Sequence, residues 1–322
     1  MRIAILDDYQ GAALGAADWS VLAGRADIDV FDAPLGTRAA EALQPYDAVV
    51  AMRERQPFPR ALIEGMPRLR LIAQTGMGAA HIDLPAATER GIVVCGTRGD
   101  GSMAAEVELA WALILAAARQ VAAADRAVRE GGWQESVGTQ LRGKVLGVLG
   151  LGNIGTKVAA IGRAFGMTVL AWSPNLTEAR CRDADVTYAD KATLLSSADV
   201  VTIHLKLGAR SRGLIGADDL ARMKKTAILV NTSRGPIVDQ RALLAALQTG
   251  AIGCAALDVY DQEPLARDHP LRGAPRTVLT PHIGYVADHN YAVFFGQSVE
   301  NIVAFLDGKP LRVINADVLA RV

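Results

Sequence analysis

Cysteine is scarce. Cys95, Cys181 and Cys254 are the only three in 322 residues, and none stands at a short spacing from another cysteine or from a histidine. That removes the usual zinc-ligand patterns, so no metal site is expected and the three thiols are expected to be reduced and in the core. An excess of either charge is also lacking. Lys+Arg and Asp+Glu number 34 each, for a net charge of +0, so nothing global draws the chain to a phosphate backbone or an anionic bilayer. No nucleic-acid or membrane partner is expected. Long apolar runs are missing too. The longest, from Leu109 to Ala118, is flanked by Glu108 and Arg119 and falls well short of the roughly 20 residues that a bilayer span needs. The start, MRIAILDDYQ, reaches Asp7 and Asp8 after too few apolar residues for the core of a signal peptide. A cytoplasmic location is the expectation. Low-complexity segments and repeats beyond a general strand–helix alternation are absent.

What is present is globular. The chain is 51% hydrophobic and 21% charged, and its length exceeds one ordinary core of roughly 100–200 residues, which argues for two domains. In the first third, short apolar runs alternate with amphipathic stretches: RIAIL, IDVF, DAVVA, LRLIAQ, GIVVC. This is the pattern of parallel βαβ units. A long helix is then predicted from Met103 to roughly Arg129, with Ser102 as its cap and Glu106 and Glu108 in its early turns. A second series of strands follows: KVLGVLG, TVLAW, DVVTIHL, TAILVNT, IGCAALDV, TVLTPH. The stretches NIGTKVAAIGRAF and DQRALLAALQTG between them read as helices, the latter closing on Gly250. The segment from about Asp288 to Leu306 is again helical and continues no strand of the second series, so it is expected to return to the first domain. The fold class is therefore α/β with two doubly wound parallel-sheet domains.

Gly150-Leu151-Gly152-Asn153-Ile154-Gly155 is a G-x-G-x-x-G directly after an apolar strand and opening a helix. In that context the glycines can turn the chain tightly and let backbone N–H groups meet a pyrophosphate at the helix N-terminus. The acid that usually ends the next strand and holds the ribose hydroxyls of NAD is absent. TVLAW ends in Ser173-Pro174-Asn175. Ser173 and Asn175 can still bond a ribose, and Arg180 and Lys206 are candidate phosphate partners at this edge. In an open parallel sheet, ligands bind beyond the carboxyl ends of the strands. The polar residues there are Ser233 and Arg234, Asp258 and Glu263, and His282. A cationic fork for a carboxylate, with a histidine steered by a carboxylate, is the equipment for oxidising a hydroxy acid.

Several stretches in one order then carry a resemblance: QTGMGAAHIDL at 74–84, VLGLGNIGTKVAAIGRAFGMTVLAW at 148–172, DVVTIHLKL at 199–207, NTSRGPIVD at 231–239, AALDVYDQEPL at 255–265 and TPHIG at 280–284. On these the chain resembles the D-isomer-specific 2-hydroxyacid dehydrogenases, which include D-3-phosphoglycerate dehydrogenases. The resemblance implies a Rossmann NAD(P)-binding domain at 101–288 inserted into a flavodoxin-like substrate domain made of 1–100 plus 289–322. It implies hydride transfer between a D-2-hydroxy acid and its 2-keto acid, the acid being D-3-phosphoglycerate or of the hydroxypyruvate or glyoxylate kind. The cofactor is NAD(H) or NADP(H).

Residue by residue, Arg234 matches the family's carboxylate-binding and carbonyl-polarising arginine, Glu263 the acid paired to the histidine, and His282 the general acid/base. Asp258 matches the residue that holds the nicotinamide carboxamide. Gly150, Gly152, Asn153, Ile154, Gly155, Ser173, His204, Lys206 and Ser233 complete the expected cofactor contacts. Met77 and Gly78 lie in the loop whose amides meet the substrate carboxylate, and Arg53 and Arg55 match the arginine-bearing loop of the phosphoglycerate enzymes. Departures are Ser173 for the acid, Lys206 for the family's usual proline, and Tyr285-Val286 after TPHIG, where small residues are common. A homodimer through the helix from Met103 onward is implied as well. Some proteins of this fold serve instead as dinucleotide-sensing corepressors, and that role is the alternative reading.

Overall fold

The computed structural model describes residues 1–320, which divide into two compact units: Met1–Ser102 with the chain from Val286 onward, and Met103–Tyr285.

The first unit holds the strands β1 (Arg2–Ile5), β2 (Asp27–Val30), β3 (Ala48–Ala51), β4 (Leu71–Gln74) and β5 (Val93–Cys95) in one parallel sheet of order β2-β1-β3-β4-β5. This is the flavodoxin-like order. β3, β4 and β5 are buried along their whole length, which is why they read as uninterrupted apolar runs rather than alternating ones. The helix Asp288–Leu306 packs on β4 and lies where the sequence predicts it. Farther on, Asn315 accepts from the Val94 N–H at 2.9 Å and donates to the Ile92 carbonyl at 2.9 Å, fastening the end of the chain to β5.

The second unit is built on a seven-stranded parallel sheet: β6 (Val145–Leu149), β7 (Thr168–Trp172), β8 (Thr187–Tyr188), β9 (Val200–Ile203), β10 (Ile228–Asn231), β11 (Cys254–Leu257) and β12 (Thr277–Leu279), in the order β12-β11-β10-β9-β6-β7-β8. The direction of winding reverses between β6 and β9, so the crevice at their carboxyl ends is the topological switch point where such sheets take ligands. β8 is absent from the sequence reading. It is a two-residue exposed edge strand with no alternation to detect.

The long helix predicted from Met103 to Arg129 is two helices, Ala104–Ala118 and Val121–Arg129, with a 61° bend between them. The first buries Val107, Ala110, Trp111, Leu113 and Ile114 in the core of this unit. Beyond Ala118 the second helix buries none of its residues, and Gln120 adopts a left-handed conformation at φ 55° that ends the first helix and starts the second, its Nε2 donating to the Val137 carbonyl at 3.2 Å. The N-cap is Met103, one residue later than expected, at φ 52° and with no capping bond from its own side chain, while the Ser102 N–H donates to Asp100 Oδ1 at 2.7 Å.

Candidate active site

From the end of β6 the chain turns through the glycine loop into the helix Asn153–Ala164. Gly150 has φ +104°, and a side chain there would meet the His204 carbonyl oxygen at 2.6 Å. A Cβ on Gly155 would fall on the carbonyl of Gly150. These two glycines let the helix sit against its strand. Gly152 differs: nothing lies within 4 Å of where its Cβ would be. As the helix N-cap it offers no side chain to the first-turn N–H groups of Asn153 and Ile154, so an open concavity faces the positive end of a helix. The site fits a dinucleotide pyrophosphate. His204, at the adjoining end of β9, pairs its Nε2 with Thr202 Oγ1 at 2.9 Å, and burial pushes its pKa down to about 4, so the ring is neutral near pH 7.

The ends of β10, β11 and β12 are knitted together. Asn231, the last residue of β10, is buried and donates from Nδ2 to the Arg234 carbonyl at 2.9 Å while accepting from the Ser233 N–H at 3.0 Å. Ser233 Oγ also donates to the Leu205 carbonyl, tying this turn to the end of β9. Gly235 packs so closely on the Tyr260 backbone that a Cβ would collide with it, which sets the Arg234 turn beside the loop carrying Glu263. That loop is held by the Tyr260 N–H, which donates to Glu263 Oε1 at 2.8 Å. The Tyr260 hydroxyl donates across to the Thr280 carbonyl at 2.9 Å.

His282 lies on the third loop in a left-handed conformation, φ 55°, a strained setting for a non-glycine residue of the kind found at functional sites. Its Nδ1 meets Glu263 Oε2 at 2.5 Å, and Tyr285 packs edge-on against its ring with centroids 5.8 Å apart. Asp258, 0% exposed, underpins the loop. Oδ1 accepts from Thr280 Oγ1 at 2.6 Å and from the Ile283 N–H at 2.8 Å, and Oδ2 from the Gly284 N–H at 3.0 Å. The two amides directly follow His282, and Thr280 lies two residues before it, so a buried carboxylate fixes the backbone from which the imidazole projects. Burial raises its pKa against the pull of those bonds.

His282 paired to Glu263 can hold and move a proton, Arg234 lies on the turn after β10 with Nη1 donating to the Ser233 carbonyl at 2.8 Å, and the glycine loop fits a dinucleotide. The model of the D-isomer specific 2-hydroxyacid dehydrogenase NAD-binding domain matches residues 111–284. This chain is a D-isomer specific 2-hydroxyacid dehydrogenase by family. It is 43% identical over 268 residues to the glyoxylate reductase of Aeropyrum pernix, covering 80% of each chain. To the D-3-phosphoglycerate dehydrogenase of Archaeoglobus fulgidus it is 40% identical over 270 residues, 83% of this chain but 51% of that one, so it spans about half the length of that relative. The crystal structure of a phosphoglycerate oxidoreductase from Vibrio cholerae superposes with a TM-score of 0.90 at 36% identity, covering 96% of this chain and 99% of the other.

In the first unit of this dehydrogenase, the two arginines of the AMRERQPF stretch go to different partners. Arg53 donates its N–H to Thr75 Oγ1 at 2.8 Å, and its guanidinium lies against Gly76, in the loop that carries the exposed Met77 and Gly78. Arg55 turns to the loop after β1. Nη1 donates to the Asp7 carbonyl at 2.6 Å, and the guanidinium sits 4.3 Å from the centroid of the Tyr9 ring. The Tyr9 hydroxyl in turn donates to Asp7 Oδ1 at 3.0 Å.

Sequence reasoning passed over Tyr9, Asn231, Tyr260 and Thr280, which all lie at or just past the carboxyl end of a strand, the signal that selected Arg234 and His282. Tyr285, noted in the sequence only as a bulky departure after TPHIG, packs on the His282 ring. The other histidines lie apart: His289 pairs with Asp100 at 3.1 Å and His269 with Gln240 at 2.7 Å.

Proposed function

We propose that this dehydrogenase interconverts a short D-2-hydroxy acid and its 2-keto acid, of the glyoxylate, hydroxypyruvate or 3-phosphoglycerate kind, using Arg234, Glu263 and His282. The observation that carries the reading is the His282–Glu263 pair at 2.5 Å on a rim shared with Arg234. Nicotinamide, when bound, supplies or takes the hydride at C2 of the acid. In the direction of reduction, the Arg234 guanidinium neutralises the substrate carboxylate and polarises the keto oxygen. His282 gives its Nε2 proton to the oxygen as it becomes an alkoxide, while Glu263 keeps Nδ1 protonated and the ring in place. Arg53, Met77 and Gly78 bind the acid from the first unit, and Arg55, framed by Tyr9, serves a polar group at its far end.

NAD(H) or NADP(H) is held by the glycine loop (Gly150, Gly152, Asn153, Ile154, Gly155), with Ser173, His204, Lys206 and Ser233 around it. Asp258 has one partner on Oδ2 and so retains acceptor capacity for the carboxamide, besides its work on the His282 loop.

The substrate domain in this proposal is the first unit and the nucleotide domain the second. We also propose a homodimer in the cytoplasm, without nucleic-acid or membrane partners. Three free thiols suit a reducing compartment. For the dimer, the support is the helix Val121–Arg129, which buries none of its residues, followed by Trp133 and Val137 at 77% and 93% exposure. A second copy of the chain would cover the exposed apolar side chains here, Val121, Val128, Trp133 and Val137. Sedimentation at micromolar concentration tests it, and a monomer there refutes it.

Turnover of a panel of 2-keto acids, followed by absorbance of the reduced nicotinamide, tests the reaction. Dinucleotide binding with no turnover of any acid overturns the enzymatic reading in favour of a sensor.

A further inference from the structure

The second unit carries a group of cations where a dinucleotide would place its adenosine ribose. At the end of β7, where a carboxylate normally accepts both ribose hydroxyls, the chain has Ser173, and a turn closed by the Leu176 N–H on the Ser173 carbonyl at 3.1 Å leads on to Asn175. Arg180, on the short helix Glu178–Asp183, reaches back so that Nη2 donates to the Leu151 carbonyl at 3.3 Å. Its guanidinium therefore lies between the glycine loop and the end of β7. From the other side, Arg210 Nη1 donates to Asn175 Oδ1 at 3.1 Å. Lys206 follows β9, the strand beside β6.

Among the described residues, Arg180, Arg210 and Lys206 make no ion pair, whereas Arg182, two residues from Arg180, pairs with Glu178 at 3.7 Å. Guanidinium and ammonium groups donate only. A bare ribose diol at this place would find only the neutral oxygens of Ser173 and Asn175 as acceptors, with no carboxylate to take both hydroxyl protons. A phosphate there meets a fork of N–H groups and unopposed positive charge.

We propose that Arg180 and Arg210, with Asn175 and Ser173 beside them and Lys206 adding charge, form a site for the 2′-phosphate of an adenine dinucleotide, and that the enzyme selects NADP(H) over NAD(H). This rests on the dinucleotide-binding role given to the glycine loop above. It goes further in naming the phosphorylated cofactor and two arginines that no strand-end rule singles out as a pair.

Calorimetric titration of the apo protein with adenosine 2′,5′-bisphosphate and with 5′-AMP tests the site without any turnover. The bisphosphate is expected to bind about 30-fold tighter or more, with the ratio shrinking as salt is raised. Arg180→Gln and Arg210→Gln are each expected to weaken the bisphosphate by roughly 5- to 20-fold and 5′-AMP by no more than about 2-fold, since each removes one charge-assisted contact. Ser173→Asp restores the repulsive carboxylate and is expected to bring the ratio down to about one or below.

Equal affinity for the two nucleotides in the wild type overturns the proposal, as does a loss of 5′-AMP binding in the arginine variants as large as that of the bisphosphate. If keto acids are turned over with NADH while the bisphosphate gains nothing, the phosphate site falls and the dehydrogenase reading stands. If neither nucleotide binds, both fall.

Discussion

Replacing Asp258 with asparagine takes one charge and one acceptor atom from a place that solvent does not reach. The wild-type carboxylate accepts from Thr280 Oγ1 and the Ile283 N–H on one oxygen and from the Gly284 N–H on the other. Asparagine retains one oxygen. Turned to keep Thr280 and Ile283, it presents its amide group to the Gly284 N–H, so that two donors face each other at about the original 3.0 Å. A buried donor left without an acceptor costs about 1–3 kcal/mol, and the two surviving bonds weaken from charge-assisted to neutral. Against this, the variant no longer buries a charge, and the upward shift of the Asp258 pKa shows that burial is costly. We expect a net loss of roughly 1–3 kcal/mol, or about 3–10 °C in the melting temperature of a unit of this size.

The functional loss should exceed what the melting temperature alone implies, because Thr280 on one side of His282 and Ile283 and Gly284 on the other are all held by this carboxylate. With the protein still folded at assay temperature, kcat for keto-acid reduction should fall by roughly tenfold or more. Thermal unfolding of the apo protein and steady-state kinetics measure the two effects separately. A melting temperature within about 1 °C of wild type together with an unchanged kcat refutes the reasoning, since the three bonds would then position nothing.

His282→Ala should lower kcat by roughly 10²- to 10⁴-fold, the usual worth of a positioned acid/base, while dinucleotide affinity measured by fluorescence titration stays within about twofold. Full activity in that variant removes His282 from the chemistry. Gly155→Ala drives a Cβ into the Gly150 carbonyl and should destabilise by roughly 1–3 kcal/mol as an overpacked contact. It should also weaken dinucleotide binding as the loop is displaced, which calorimetry on the apo protein would show.

His204 takes a proton at about 4 in the folded chain against 6.5 for the free side chain. The unfolded state therefore binds that proton first, and the stability His204 contributes is complete above 6.5 and lost as pH falls from there toward 4. The shift from 6.5 to about 4 corresponds to a loss of roughly 1–3 kcal/mol over that interval. Denaturant midpoints between pH 7 and 4.5 should fall more steeply for wild type than for His204→Gln. Parallel slopes contradict the assignment.

Much of the fold is legible in the sequence because parallel strands buried on both faces, such as AVVA and LIAQ, stand out as apolar runs between amphipathic stretches. The glycine loop is equally plain, since Gly150 and Gly155 are demanded by backbone positions that a Cβ cannot share. The break at Gln120 is not. Ala-rich sequence continues across it with good helix propensity, and the bend is tied to the segment at 137–139, distant in sequence, which bonds Ala118 and Gln120. At the rim, strand-end position identifies Arg234, Glu263 and His282 as candidates. It says nothing of how Asn231 and Asp258 spend their hydrogen bonds, because such partners come from turns distant in sequence. The divergence of Arg53 and Arg55 is hidden for the same reason: adjacent charges in a loop carry no record of the separate surfaces, Gly76 and Tyr9, that draw them apart.

The interruption of the first unit has a consequence during synthesis. β1 to β5 are complete once residue 95 has been made, but the helix Asp288–Leu306 that packs on β4, and Asn315 that fastens β5, come only after the whole of Met103–Tyr285. At about 5–20 residues per second, the ribosome needs roughly 10–40 s to cover that interval. The inserted unit has all of its strands before the first unit has its last helix. For that time a young five-stranded sheet stands with part of one apolar face uncovered, and the N-terminal third is where aggregation or chaperone binding of nascent chains is expected first. Moving the chain ends into the 102–103 junction, so that 286–320 is joined by a linker to residue 1 and translated before it, would close that window at the cost of the bond from the Met1 amino group to the Arg25 carbonyl.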